Sequence, residues 1–232
     1  PLALIVAQWI DANGISLNDS IAFSEKALKE NTYSPMLKWY GKKRNTMTVR
    51  ELLEWSLVES DNNAADILLN HVGGISGATK IMRKIGVPDN IEIGASEDDM
   101  HRDPYLSYLN RTTPLAMAQL FDRFDTEMRN TSLSYSEIAT MLEQCRTGID
   151  RLVAPLLSSD ATIGHKTGTG FPTPDGRISA INDCGYVNLS NGERYSIAVF
   201  VADSGYDMSE TSAIIAEISR IVWIGLTEHK KD

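Results

Sequence analysis

Apolar positions recur at helical spacing through the first part of the chain and alternate as in strands after residue 150. The run Pro1-Leu2-Ala3-Leu4-Ile5-Val6-Ala7 continues into Trp9 and Ile10 and stops at Asn13-Gly14, which predicts a buried helix over 1–13. It has no capping residue at its start, so the helix and a further segment are expected to begin upstream of residue 1. Thr48-Val49-Arg50-Glu51 reads as a capping box that opens a helix carrying Leu52, Leu53, Trp55 and Val58. A helix over about 62–71 follows, stopped by Gly73-Gly74, and another runs from Ile75 to Ile85, closed by Gly86 and Pro88. Residues 89–111 are polar and irregular, too long for a simple connection. Thr113-Pro114 starts a helix whose apolar face is Leu115, Met117, Ala118, Leu120 and Phe121. Ser134 to Gln144 predicts one more.

Beyond residue 150 the runs Ala161–Thr169, Ile178–Leu189 and Tyr195–Ala202 are rich in Ile, Val and Tyr and read as strands. Pro174-Asp175-Gly176 and Asn191-Gly192 are turn signals, and the second predicts a tight antiparallel hairpin. Asp207 to Leu226 predicts a closing amphipathic helix with Ile214, Ile215, Ile218, Ile221, Val222 and Ile224 as its apolar stripe. Consecutive antiparallel strands with helices grouped around them give an α+β fold. The expected division is a mostly helical subdomain over 1–145 and an α/β subdomain over 146–232.

Composition narrows the function. The 232 residues are 42% apolar and 23% charged, a globular balance. A formal net charge of −9 argues against a nucleic-acid partner, and Lys42-Lys43-Arg44 is too short to reverse that. No apolar run is long enough to span a membrane. Cys145 and Cys184 lack metal-ligand spacing, so free thiols are expected, with a disulfide left open. Four histidines without ligand spacing exclude a zinc hydrolase, and no cofactor is expected. His71 fits a helix C-terminus and His165 a structural role.

Two polar motifs carry the chemistry. Ser60-Asp61-Asn62 opens an apolar helix pattern, and Lys166-Thr167-Gly168-Thr169 ends the first strand. Ser, Asp and Asn are also ordinary helix caps, and Lys-Thr-Gly alone is a weak signal. On an edge strand, however, Lys166 supplies fixed positive charge, Gly168 lets a ligand approach the backbone, and the threonine hydroxyls can bond a carboxylate. No Ser-x-x-Lys occurs in these residues.

In this order and spacing the motifs resemble the second and third signatures of the class A serine β-lactamases. Ser60-Asp61-Asn62 with Ala64, Leu68 and Gly73-Gly74, and Gly164-His165-Lys166-Thr167-Gly168-Thr169-Gly170, carry the likeness over nearly the whole chain. The resemblance implies the fold shared with penicillin-binding transpeptidases, an antiparallel sheet flanked by helices plus a helical subdomain. It places the nucleophilic serine and its lysine just upstream of residue 1. The loop 89–111 becomes an Ω-like loop, with Glu97 as the base for deacylating water and Asp98, Asp99 and Asp103 as rivals. His101 stands where the family usually has asparagine, as in an atypical subgroup. The resemblance further implies that Ser60 and Lys166 serve catalysis and that Asn62, His101, Thr167, Gly168 and Thr169 contact substrate. Arg151, with Arg146 as the other candidate, would balance the substrate carboxylate. It implies a monomer that is periplasmic or secreted and acts on small-molecule β-lactams. The alternatives are a penicillin-binding D,D-peptidase and a serine-less remnant that binds lactams or peptides without turnover.

Overall fold

The computed structural model describes residues 1–173 and 175–228. Pro174, the first residue of one expected turn, lies outside them. The elements in chain order are α1 (Leu2–Asn13), β1 (Ser20–Ala22), α2 (Pro35–Tyr40), β2 (Thr46–Thr48), α3 (Val49–Val58), α4 (Asn62–His71), α5 (Gly74–Lys84), α6 (Glu97–Arg102), α7 (Pro114–Arg123), α8 (Leu133–Glu143), β3 (Thr162–Thr169), β4 (Ile178–Asn188), β5 (Arg194–Ser204) and α9 (Met208–Glu228).

The helical part is built around α1. Leu4, Ile5, Val6, Ala7 and Ile10 are all buried, against α4, α5 and α8. Each fully buried aliphatic side chain of this kind contributes about 1.5–3 kcal/mol. Gly14 ends the helix at φ 65°, returning its N–H to the Ile10 carbonyl. The expected capping box is formed: Thr48 Oγ1 accepts from Glu51 N–H and the Glu51 carboxylate accepts from Thr48 N–H. Thr113 caps α7 in the same way, accepting from Ala116 N–H.

The sheet is antiparallel in the order β3-β4-β5. Among the described residues β3 is therefore an edge strand, paired only with β4, with Lys166 opposite Cys184 and Gly164 opposite Tyr186. α7 and α8 cover one face of the sheet and α9 the other. Tyr186 fastens the sheet to the helices. Its ring is buried near Phe121 and Phe124, Arg129 lies over it, and its hydroxyl donates to Glu143 at 2.8 Å. Gly164 makes room for that ring, since a Cβ there would fall 2.3 Å from it.

Two expectations on the elements are corrected, and three short elements are new. The short strands β1 and β2 and the helix α2 were not apparent from periodicity, because three- and six-residue segments are too short to show a period. Leu115 is 67% exposed rather than part of the apolar face of α7, because that first-turn position points outward while Ala116, Met117 and Leu120 turn inward. On α9, Ile214, Ile218 and Ile221 are exposed. The buried stripe is Thr211, Ser212, Ile215 and Ser219, where small hydroxyl residues allow close approach and find partners. Ser219 Oγ donates to the Leu152 carbonyl at 2.8 Å.

Candidate active site

The two polar motifs meet. Between α3 and α4 the backbone reverses at Ser60, which takes φ 60°. That left-handed conformation costs a non-glycine residue roughly 1–2 kcal/mol and is held by the hydrogen bonds of the next two residues. Asp61 is buried and anchors the turn, accepting from Ala64 N–H, Met36 N–H and the Ser34 hydroxyl. Asn62 Nδ2 donates to Thr32 Oγ1 at 2.8 Å. With the turn fixed, Ser60 Oγ accepts a 2.6 Å hydrogen bond from Lys166 Nζ, 106 residues later in the chain. Lys166 also donates to the Thr167 carbonyl at 2.9 Å. Burial pulls the Lys166 ammonium below its ordinary range, while Cys145, Cys184, Asp183 and Glu97 pull the other way.

Strand alternation separates the remaining residues of the third motif. Thr167 Oγ1 shares a 2.6 Å hydrogen bond with Thr147 Oγ1. Arg151 is buried and braces the strand end. Its Nη2 donates to Thr169 Oγ1 at 2.8 Å, and its Nη1 donates to the carbonyls of Gly168 and Asn182. Of the two candidate arginines only Arg151 reaches this strand; Arg146 is exposed and pairs with Glu59. Among the described residues nothing requires a glycine at 168, where an added Cβ would meet its nearest neighbour at 3.8 Å.

The polar loop is organised rather than irregular. A bridge between Glu92 and Arg111 closes its ends. Asn110 accepts from Gly94 N–H and Ala95 N–H and donates to the Ala95 carbonyl. Asp66, from α4, accepts from the first two amides of α6, those of Glu97 and Asp98, at 2.8 Å each. This fixes Glu97 at the N-terminus of α6, within electrostatic reach of Lys166. Desolvation, reinforced by the Asp66 charge, pushes the Glu97 carboxyl up to about 7, and Lys166 opposes the rise. The rival acids are engaged elsewhere. Asp98 pairs with Lys29 and Arg102, Asp99 completes a capping box with Ser96, and Asp103 accepts from Tyr105 N–H. His101 packs edge-on to Phe171 with ring centroids 6.0 Å apart. A cavity of about 290 Å³ runs under the loop, lined by Glu97, Asp66, Ala65, Asn110 and Pro1 among others. Pro1 thus lines the same cavity as Glu97.

Sequence reasoning passed over Asp66, Asn110 and Thr147. A carboxylate in the middle of the apolar α4 pattern was the available signal, because a buried acid needs donors. Asn110 and Thr147 gave none. His165 is buried, with Nδ1 3.0 Å from Asp183 Oδ1, and both cysteines are free. No group of metal-binding side chains is found among the described residues.

Comparison with known proteins agrees with this geometry. Residues 1–226 match the family model described as the β-lactamase enzyme family. A β-lactamase of Phocaeicola vulgatus is 35% identical over 222 residues, which are 95% of this chain and 69% of that protein. The β-lactamase VEB-1 of Pseudomonas aeruginosa is 33% identical over 96% of this chain and 74% of its own length. Among solved structures, a class A β-lactamase from Bacteroides cellulosilyticus superposes with a TM-score of 0.90 at 34% identity, covering 98% of this chain and 81% of that one. The extended-spectrum β-lactamase TLA-3 gives 0.91 at 34% identity, with 97% and 81% covered.

Proposed function

We propose a reaction from one premise: this chain belongs to the β-lactamase enzyme family, in its class A branch. The reaction is hydrolysis of the lactam amide of β-lactam antibiotics through an acyl-serine intermediate. The observation that carries it is the 2.6 Å hydrogen bond from Lys166 to Ser60, with Glu97 nearby.

The roles follow from the chemistry. A serine hydroxyl attacks the lactam carbonyl only if a base takes its proton. That serine is not in a Ser-x-x-Lys among these residues and is proposed to be supplied upstream of Pro1. The amide of Thr169 offers one donor to the tetrahedral oxyanion, and the amide of the nucleophile the other. As the ring C–N bond breaks, Ser60 passes a proton to the departing nitrogen, with Lys166 steadying its oxygen. The Lys166 charge and the hydroxyls of Thr167 and Thr169, braced by Arg151, receive the substrate carboxylate. Asn62 holds the substrate's side-chain amide, and His101 borders the site. The missing Cβ at Gly168 leaves room for substrate against the strand.

Glu97 completes the cycle. Its carboxylate takes a proton from water, hydroxide adds to the acyl carbonyl, and collapse of the adduct releases the serine. A base near 7 is well matched to that task at neutral pH. This base favours a hydrolase over a D,D-peptidase, whose acyl-enzyme persists. No helix among the described residues is long and apolar enough to cross a membrane. A monomer that is exported to the periplasm or secreted, and that confers antibiotic resistance, completes the proposal.

The test is turnover of a penicillin by the full-length protein and its Glu97→Gln variant. Steady hydrolysis by the parent and a persistent adduct in the variant support the assignment. Equal turnover by both removes Glu97 from its role. No adduct in either leaves a protein that only binds.

A further inference from the structure

The segment 146–151, between α8 and β3, runs past both polar motifs. At its start, Arg146 N–H donates to the Val58 carbonyl at 3.0 Å, two residues before Ser60. At its end, Arg151 N–H donates to the Gly148 carbonyl at 2.9 Å, closing a turn in which Gly148 takes φ 62°. Between these points the segment meets Thr167 twice. Thr147 Oγ1 is 2.6 Å from Thr167 Oγ1. Gly148 lies against the Thr167 methyl, since a Cβ on Gly148 would fall 2.5 Å from Cγ2. Both branches of the Thr167 side chain are therefore held, and with them its χ1 rotamer.

We propose that Thr147 is a positioning residue for lactam hydrolysis, which holds the Thr167 hydroxyl in the orientation that donates to the substrate carboxylate. This inference rests on the proposed function. A threonine hydroxyl has one proton to give, and a carboxylate has none. With a carboxylate seated at Thr167, the Thr167 proton points to it. The proton within the 2.6 Å bond then comes from Thr147, whose hydroxyl is the donor. Accepting from Thr147 polarises the Thr167 O–H and strengthens the bond that it gives.

The other threonine of the strand is treated in the same way. Arg151 Nη2 donates to Thr169 Oγ1 at 2.8 Å. A guanidinium only donates, so the Thr169 proton also stays free for the carboxylate. One segment thus orients both hydroxyls, through Thr147 and Arg151. Among the described residues Thr147 is the sole hydrogen-bond partner of Thr167 Oγ1, so no other group takes over when it is removed. Cys145 Sγ, 3.5 Å away, is the second neighbour of the Thr147 oxygen.

The experiment measures steady-state hydrolysis of a penicillin and of its methyl ester by the full-length protein and by Thr147→Ser, Thr147→Val and Thr147→Ala. Serine keeps the proton, valine keeps the volume without it, and alanine removes both. With the penicillin, Thr147→Val and Thr147→Ala should raise KM by roughly 5- to 30-fold, as expected for a weakened hydrogen bond to a charged group. Their kcat should stay within about twofold of the parent's, because a covalent bond holds the acyl group once the ring has opened. Thr147→Ser should keep KM near the parent's. With the ester, which lacks the carboxylate, kcat/KM should agree among the four proteins; where the ester reacts too slowly to read, the contrast of valine and serine decides. An unchanged KM in Thr147→Val and Thr147→Ala, an equal rise in Thr147→Ser, or an equal fall with acid and ester overturns the inference. Failure of both Thr147→Val and Thr147→Ala to fold overturns it too, since Thr147 then serves the fold. A parent that hydrolyses no penicillin removes the proposed function and this inference with it; a parent that hydrolyses it while the variants match it removes the inference alone.

Discussion

Glu97 is costly to bury as an anion. Its carboxyl is raised to about 7 chiefly by desolvation, so the folded state holds the proton more tightly than the unfolded chain does. Stability therefore falls as pH rises from the ordinary glutamate range to about 7, and stays lower above it. Glu97→Gln removes that penalty. Its Tm should match the parent's near pH 4 and exceed it at pH 8, by an amount equivalent to about 1–3 kcal/mol in thermal melts. The same substitution should slow deacylation by roughly 10²–10⁴-fold and remove the rise in turnover between pH 5 and 8, read by stopped-flow hydrolysis. A Glu97→Gln protein that melts like the parent at pH 8 places the carboxylate in water instead. At Gly168 the expectation is opposite in kind. Gly168→Ala should fold with nearly unchanged stability, since the nearest atom to the new Cβ is 3.8 Å away, yet lose affinity, with a raised KM. An unchanged KM argues that substrate does not approach the backbone there. Gly168 could be nominated from sequence because it stands in a motif, and Glu97 because the family resemblance gave its loop a role. Asp66 gave only the signal of an acid inside the apolar pattern of α4; its partners Glu97 and Asp98 are 31 and 32 residues away and the pairing exists only once the loop has folded back.

At the scale of elements, local signals translated well. The capping box of α3, the proline at the start of α7 and the Asn-Gly turn between β4 and β5 are each short-range devices, legible because the interacting residues are neighbours in sequence. Thr48→Ala should cost about 1 kcal/mol in denaturant melts and leave catalytic rates alone. A loss of activity at unchanged stability would instead tie α3 to the chemistry. Where packing decides, the sequence misled. Counting apolar residues on α9 found Ile215 and Val222, which pack on the sheet, but also took in the exposed Ile214, Ile218 and Ile221 and missed Thr211, Ser212 and Ser219, which are buried with hydrogen-bond partners. Gly164 belongs to the same class. Its need for glycine comes from the Tyr186 ring on the next strand, and Gly164→Ala should destabilise by about 1–3 kcal/mol through overpacking. Calorimetry showing no loss would mean the ring moves aside freely.

For the whole molecule, the sequence pointed to a helical subdomain over 1–145 and an α/β subdomain over 146–232. The principal apolar core runs from Leu4 in α1 to Cys184 and Tyr186 in β4, on both sides of that division. Lys166 meets Ser60 across it as well. We expect one cooperative thermal transition, with calorimetric and van't Hoff enthalpies equal; two separable transitions contradict this. The most direct test of the proposed reaction is the intact mass of full-length Glu97→Gln protein, mixed with a penicillin and quenched in acid. The prediction is one penicillin added per chain, on a serine upstream of Pro1, persisting for minutes while the parent protein clears it. An unmodified mass in both proteins, with penicillin left intact, would contradict an acyl-serine hydrolase.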